Sequence, residues 1–115
     1  MEEARRRYDE ALPLYVSEQA NLGRANTLQA VGDLDLPQDP QKAGALYKEA
    51  LKLYESESEP IGIAQTLVKL ALLYRSGADD ELAAHAAKRA RAAAQTSGVH
   101  DLTAWVEAIL ETLSL

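Results

Sequence analysis

Moving the sequence by 39 residues lays it on itself. Ala4 meets Ala43, Tyr8 meets Tyr47, and Glu10, Ala11 and Leu12 meet Glu49, Ala50 and Leu51. Leu14, Tyr15, Ser17 and Glu18 meet Leu53, Tyr54, Ser56 and Glu57. Gly23, Ala25, Thr27 and Leu28 meet Gly62, Ala64, Thr66 and Leu67, and Leu34 meets Leu73. That is 14 identities in the 31 positions from Ala4 to Leu34, where ordinary residue frequencies give roughly two. A fixed period of this size is the mark of stacked structural repeats, each too small to bury its own apolar face.

The repeated unit reads as two helices. Ala43, Leu46, Tyr47, Ala50, Leu51 and Tyr54 recur at steps of three and four, one face of an α-helix. Ile63, Ala64, Leu67, Leu70, Ala71 and Tyr74 do the same. The polar run from Glu55 to Glu59 separates them. Pro60 is expected in a turn or at the first helical position, where its missing N–H costs nothing. Gly77 is expected to close the second helix in a left-handed conformation.

Around this centre the spacing predicts six helices and no strand. Glu2 to Gln19 reads as a helix with Ala4, Tyr8, Ala11, Leu12 and Tyr15 on one face, kinked at Pro13. Asn21 to Gly23 is expected to turn, and Arg24 to Leu34 to form a helix with Ala25, Leu28, Val31 and Gly32 inward. Pro37 disfavours helix at Leu36, and Asp39 suits an N-cap with Pro40 at the first position. An alanine-rich helix is predicted from Asp80 to Thr96 behind the acids Asp79, Asp80 and Glu81. Ser97 and Gly98 end it. A last helix, Asp101 to Leu113, places Leu102, Val106, Ile109, Leu110 and Leu113 on one side, with Trp105 adjacent. The connections of two to six residues favour antiparallel neighbours.

Composition narrows the function. The 115 residues suit one domain. Cysteine is absent, which removes disulfides, thiolate metal sites and cysteine nucleophiles. A net charge of −6 disfavours nucleic acid as a partner. No apolar run approaches the ~20 residues that span a bilayer, and the first ten residues lack the apolar core of a secretory signal, so the cytoplasm is the expected location and no membrane partner is expected.

At Ala43-x3-Tyr47-x2-Ala50 the chain resembles the second-helix half of the tetratricopeptide pattern. Gly32 stands eleven residues earlier, and Ala71, Tyr74, Ala83, Ala87 and Ala90 continue the frame. The shared Gly-x-Ala-x-Thr-Leu element, at Gly23 to Leu28 and Gly62 to Leu67, is similar to the longer repeats of some tetratricopeptide scaffolds. Thr27 and Thr66 stand where tryptophan is usual, and the third copy has alanine where tyrosine is expected. The resemblance implies an all-α, right-handed solenoid. Residues 2–19 would be the second helix of a partial repeat, 24–57 and 61–97 two repeats, and 101–113 a cap. It also implies a non-catalytic module that binds a peptide or partner domain on the concave face of its first helices. On this frame that face carries Asn26, Gln29, Asp33, Gln65, Lys69, Leu72 and Arg75. Of these, only Asn26, Lys69 and Arg75 compare with the groups that clamp a C-terminal carboxylate in one family subclass. The alternative is a sensor fragment of a larger signalling protein linked to an NTPase or protease.

Other chemistry has little footing. His85 and His100 are fifteen residues apart on different predicted elements, short of the three or four converging ligands a metal needs. Asp33, Asp35 and Asp39 suggest a calcium loop, but Gln38 and Gly44 stand where it needs glycine and an acid. Arg5 to Arg7, and Lys88, Arg89 and Arg91, are expected to pair with nearby acids. No nucleophile elbow and no phosphate loop is present, so neither catalytic residues nor cofactors are assigned. The tyrosines are expected to pack in the core with their hydroxyls reaching the surface. The helix over residues 2–19 lacks a preceding hairpin partner, which predicts either a longer array or a two-fold homodimer through that helix.

Overall fold

A computed structural model describes residues 20–115 of the chain. The predicted helix over residues 2–19, its kink at Pro13, Arg5 to Arg7, Tyr8, Tyr15 and the homodimer through that helix lie outside the described residues. Among those described there are five α-helices and no strand: α1 Asn21–Asp35, α2 Pro40–Ser56, α3 Pro60–Ser76, α4 Asp80–Ser97 and α5 His100–Thr112.

Acidic side chains start three of the helices. Asp39 Oδ1 accepts from the backbone N–H of Lys42 at 3.1 Å, with Pro40 in the first turn of α2. Glu59 accepts from Gly62 N–H at 2.7 Å and Ile61 N–H at 3.3 Å, with Pro60 in the first turn of α3. Asp79 Oδ1 accepts from Leu82 N–H at 3.1 Å at the start of α4. Each carboxylate meets orphan donors at the positive end of a helix dipole.

Two glycines behave differently from expectation. Asn21, Leu22 and Gly23 are helical, not a turn. The Gly23 carbonyl accepts from Thr27 Oγ1 at 3.0 Å, and Ala25 and Leu28 are buried, so packing outweighs the ~1 kcal/mol by which glycine weakens a helix. Gly77 does not take the left-handed conformation; its φ is −83°. Ala78, one residue later, takes it with φ 61°. Ala78 N–H bonds to the Arg75 carbonyl at 3.1 Å and Asp79 N–H to the Tyr74 carbonyl at 2.8 Å. This is the paired closure of a Schellman motif, in which the residue after the cap is the one that must turn left-handed. Gly98 does adopt the left-handed form, φ 70°, behind α4.

The chain divides into two units after Ser58. In the first, α1 packs along α2. Ala25, Leu28 and Val31 face a core with Ala43, Tyr47, Ala50, Leu51 and Tyr54, all buried. In the second, α3 packs along α4 and α5 touches both. Its core is Ala64, Leu67, Val68, Leu70 and Ala71 with Ala83, Ala87, Ala90 and Ala94, joined by Leu102, Val106 and Leu110. Helices joined by three or four residues and packed together run antiparallel. Each unit is therefore built on an α-hairpin, and among the described residues the 39-residue recurrence is that of their first helices, Gly23 to Leu34 on Gly62 to Leu73.

The shared Gly-x-Ala-x-Thr-Leu element has a structural meaning. Thr66 Oγ1 donates to the Gly62 carbonyl at 2.8 Å, as Thr27 Oγ1 does to Gly23. Both threonines are buried, and bonding back to the preceding turn satisfies a hydroxyl that would otherwise be costly inside.

Candidate functional site

The seven residues that the repeat frame places on a binding face fall into two groups, one in each unit. In the first unit, Asn26, Gln29 and Asp33 share one edge of α1 with the hydroxyls of α2. Tyr54 Oη donates to Asn26 Oδ1 and accepts from Gln29 Nε2 at 3.0 Å. Tyr47 Oη donates to Asp33 Oδ1 at 2.6 Å. Both tyrosines are buried, so their hydroxyls end on α1 and not in water, contrary to the sequence expectation. Burial, then the hydrogen bond to Asp33 and its negative charge, push the Tyr47 hydroxyl well above the usual phenol range. Gln29 is itself buried, while Asn26 and Asp33 are exposed. This edge of α1 thus has a structural task, holding two phenols in register.

In the second unit the frame's residues lie along α3. Gln65 and Lys69 are half-buried, and Leu72 is 39% exposed. Arg75 Nη1 sits 3.5 Å from Asp80 Oδ1, so its charge is shared with the start of α4. Ile61, which is not among the seven residues of the repeat frame, is 38% exposed one turn before Gln65. At 100° per residue, Ile61, Gln65, Lys69 and Leu72 fall within one narrow stripe of the helix. The stripe has an aliphatic side chain at each end and an amide and an ammonium between. A sequence signal for Ile61 exists: its repeat counterpart is Leu22, which opens α1 in the same way and is 39% exposed.

The remaining charged candidates have other partners. Asp39 caps α2, Lys42 Nζ lies 3.7 Å from Asp35 Oδ2, and Asp33 accepts from Tyr47, so the three acids serve three purposes. Arg91 Nε donates to Glu107 Oε1 at 2.8 Å, tying α4 to α5. His85 and His100 are exposed on different helices. Among the described residues no group of three or more histidine, aspartate or glutamate side chains converges as a metal site, and no helix is long and apolar enough to cross a membrane. No family model matches the chain, and no curated protein or solved structure matches it.

Proposed function

We propose that the chain is a non-catalytic, tetratricopeptide-like module that binds a peptide or the surface of another protein. The observation that carries this reading is the recurrence of one helix sequence, Gly23 to Leu34 and Gly62 to Leu73, as the first helix of two α-hairpins, each opened by an exposed aliphatic residue at the same repeat position, Leu22 and Ile61. An exposed aliphatic side chain at the same position of each copy would offer a partner the same anchor in each repeat. Stacking of the hairpins into a right-handed solenoid is part of the same proposal and rests on the resemblance of the repeat.

The α3 stripe is the favoured contact. It offers Ile61 and Leu72 as apolar anchors and the Gln65 amide to bond an extended backbone. Ile61 and Leu72 are eleven residues apart, so at ~1.5 Å per residue the stripe is about 16 Å long, room for about five extended residues. The α1 edge contributes less, because Asn26, Gln29 and Asp33 already serve Tyr47 and Tyr54.

The test is affinity capture by the immobilised chain, with bound proteins identified by mass spectrometry. Capture should be lost in the pair Ile61→Ser/Leu72→Ser and weakened in Gln65→Ala/Lys69→Ala. It should persist in Lys88→Ala, an exposed change on α4. Equal capture by all variants, each as helical as the parent, would exclude the α3 stripe.

A further inference from the structure

The two hairpins are built alike but are not filled alike. In the first, a Cβ added to Gly32 would lie 2.7 Å from Tyr47 Cε1 and 3.0 Å from its Cδ1. The ring occupies the space that any side chain on Gly32 would need. The phenols of Tyr47 and Tyr54 then bond to Asp33, Asn26 and Gln29. In the second hairpin the equivalent of Gly32 in the 39-residue frame is Ala71. The second helices align one residue further on, N-cap Asp39 on N-cap Asp79, so Tyr47 and Tyr54 correspond to Ala87 and Ala94. Gln29 and Asp33 are replaced by Val68 and Leu72, while Asn26 is matched by another amide, Gln65. Ala71, Ala87, Ala94 and Val68 are all buried. Size and polarity have therefore changed together on both helices: large phenols face glycine and polar groups, and small alanines belong with alanine and aliphatic groups.

We propose that these substitutions key each first helix to its own second helix, so that the two hairpins cannot exchange partners. Set against the alanines of α4, α1 would have an empty space where the Tyr47 ring lies, and buried Gln29 would lose its phenol. Set against the tyrosines of α2, α3 would press the Ala71 methyl on the Tyr47 ring and leave only Gln65, the counterpart of Asn26, to bond a hydroxyl, because Val68 and Leu72 cannot. The repeat makes such keys necessary. Ala25, Thr27 and Leu28 recur as Ala64, Thr66 and Leu67, so that part of the first-helix face does not tell one partner from the other.

Denaturation midpoints of the full chain test this by exchanging key residues. Gly32→Ala and Tyr47→Ala should each lower the midpoint, and the pair should lower it by less than the sum. Ala87→Tyr should lower it too, and adding Ala71→Gly with Leu72→Asp should recover part of the loss. The crossed pair, Gly32→Ala with Ala87→Tyr, should be additive. Where Ala87→Tyr leaves no folded protein, Ala87→Leu with and without Ala71→Gly reads the same coupling with a smaller side chain. Additivity within either hairpin, or a rescue of equal size from the other hairpin's residues, would overturn the keying.

Discussion

The Tyr47 hydroxyl lies 2.6 Å from Asp33 Oδ1, on a side chain with no exposed surface. Replacing it by phenylalanine keeps the ring and removes one hydrogen bond, while exposed Asp33 turns to water. A cost of about 1 kcal/mol is expected at neutral pH. Burial of this phenol, together with the bond and charge of Asp33, also makes stability depend on alkali. In the unfolded chain the phenol ionises near its ordinary pKa of about 10. In the folded chain burial and Asp33 keep the proton on to higher pH. Above pH ~10 the unfolded state therefore binds fewer protons, and stability falls as pH rises, by up to ~1.4 kcal/mol per pH unit. Urea midpoints between pH 8 and 11 should fall further for the parent than for Tyr47→Phe, and parallel curves would refute the assignment. Leu67, 1% exposed, is a simpler case. Leu67→Ala should cost about 2–5 kcal/mol by removing buried methyl groups and leaving a void. An unchanged midpoint would mean that this side chain does not face the core.

At the scale of elements, the chain ends α3 against its own chemistry. Ala78 sits at φ 61°, although Gly77 is next to it. A residue with a Cβ loses roughly 1–2 kcal/mol in this region, and glycine returns part of that through the entropy of the unfolded chain. Ala78→Gly is expected to stabilise the protein by about 0.5–1 kcal/mol, seen as a higher midpoint at constant slope; a lower midpoint would contradict the Schellman closure. The starts of these helices were easier to read than their ends. Asp39, Pro40 and Pro60 act on the residues beside them, and such local rules are visible in the letters. The end of α3 depends on which carbonyls of its last turn find donors, and one shifted bond moves the left-handed position from Gly77 to Ala78. In the sequence Gly23 reads as a breaker, because its neighbours Asn21 and Leu22 say nothing of the packing that draws Ala25 and Leu28 inward. The candidate face divides in the same way. Helical spacing was enough to gather Gln65, Lys69 and Leu72 on one stripe of α3. The use of Asn26, Gln29 and Asp33 by two phenols was hidden, because it depends on where the hydroxyls of another helix end.

For the molecule as a whole, the division after Ser58 can be probed by cleavage. Glu55, Ser56, Glu57 and Ser58 are all exposed where α2 gives way to α3, and Ser58 has φ 51°. A protease must draw several residues into an extended strand, so it cuts where few side chains have to leave a core. A glutamate-specific protease has other choices among the described residues. Glu49, within α2, accepts from Arg24 at 3.1 Å, and Glu107, within α5, accepts from Arg91 at 2.8 Å. Glu59 is followed by Pro60, whose ring hinders cleavage, and its carboxylate is bonded to Gly62 N–H. Glu57 also accepts, from Asn21 Nδ2 at 3.0 Å, but unlike Glu49 and Glu107 it stands at the end of its helix, between exposed Ser56 and Ser58. Among these four glutamates, cleavage should therefore come first after Glu57, releasing a fragment that begins at Ser58. Mass spectrometry of a brief digest identifies it. Cuts at glutamates before residue 20 do not enter the comparison. A first cut after Glu49 or Glu107 would mean that a helix interior opens more readily than the segment between the two units, and the division after Ser58 would not describe how the chain yields.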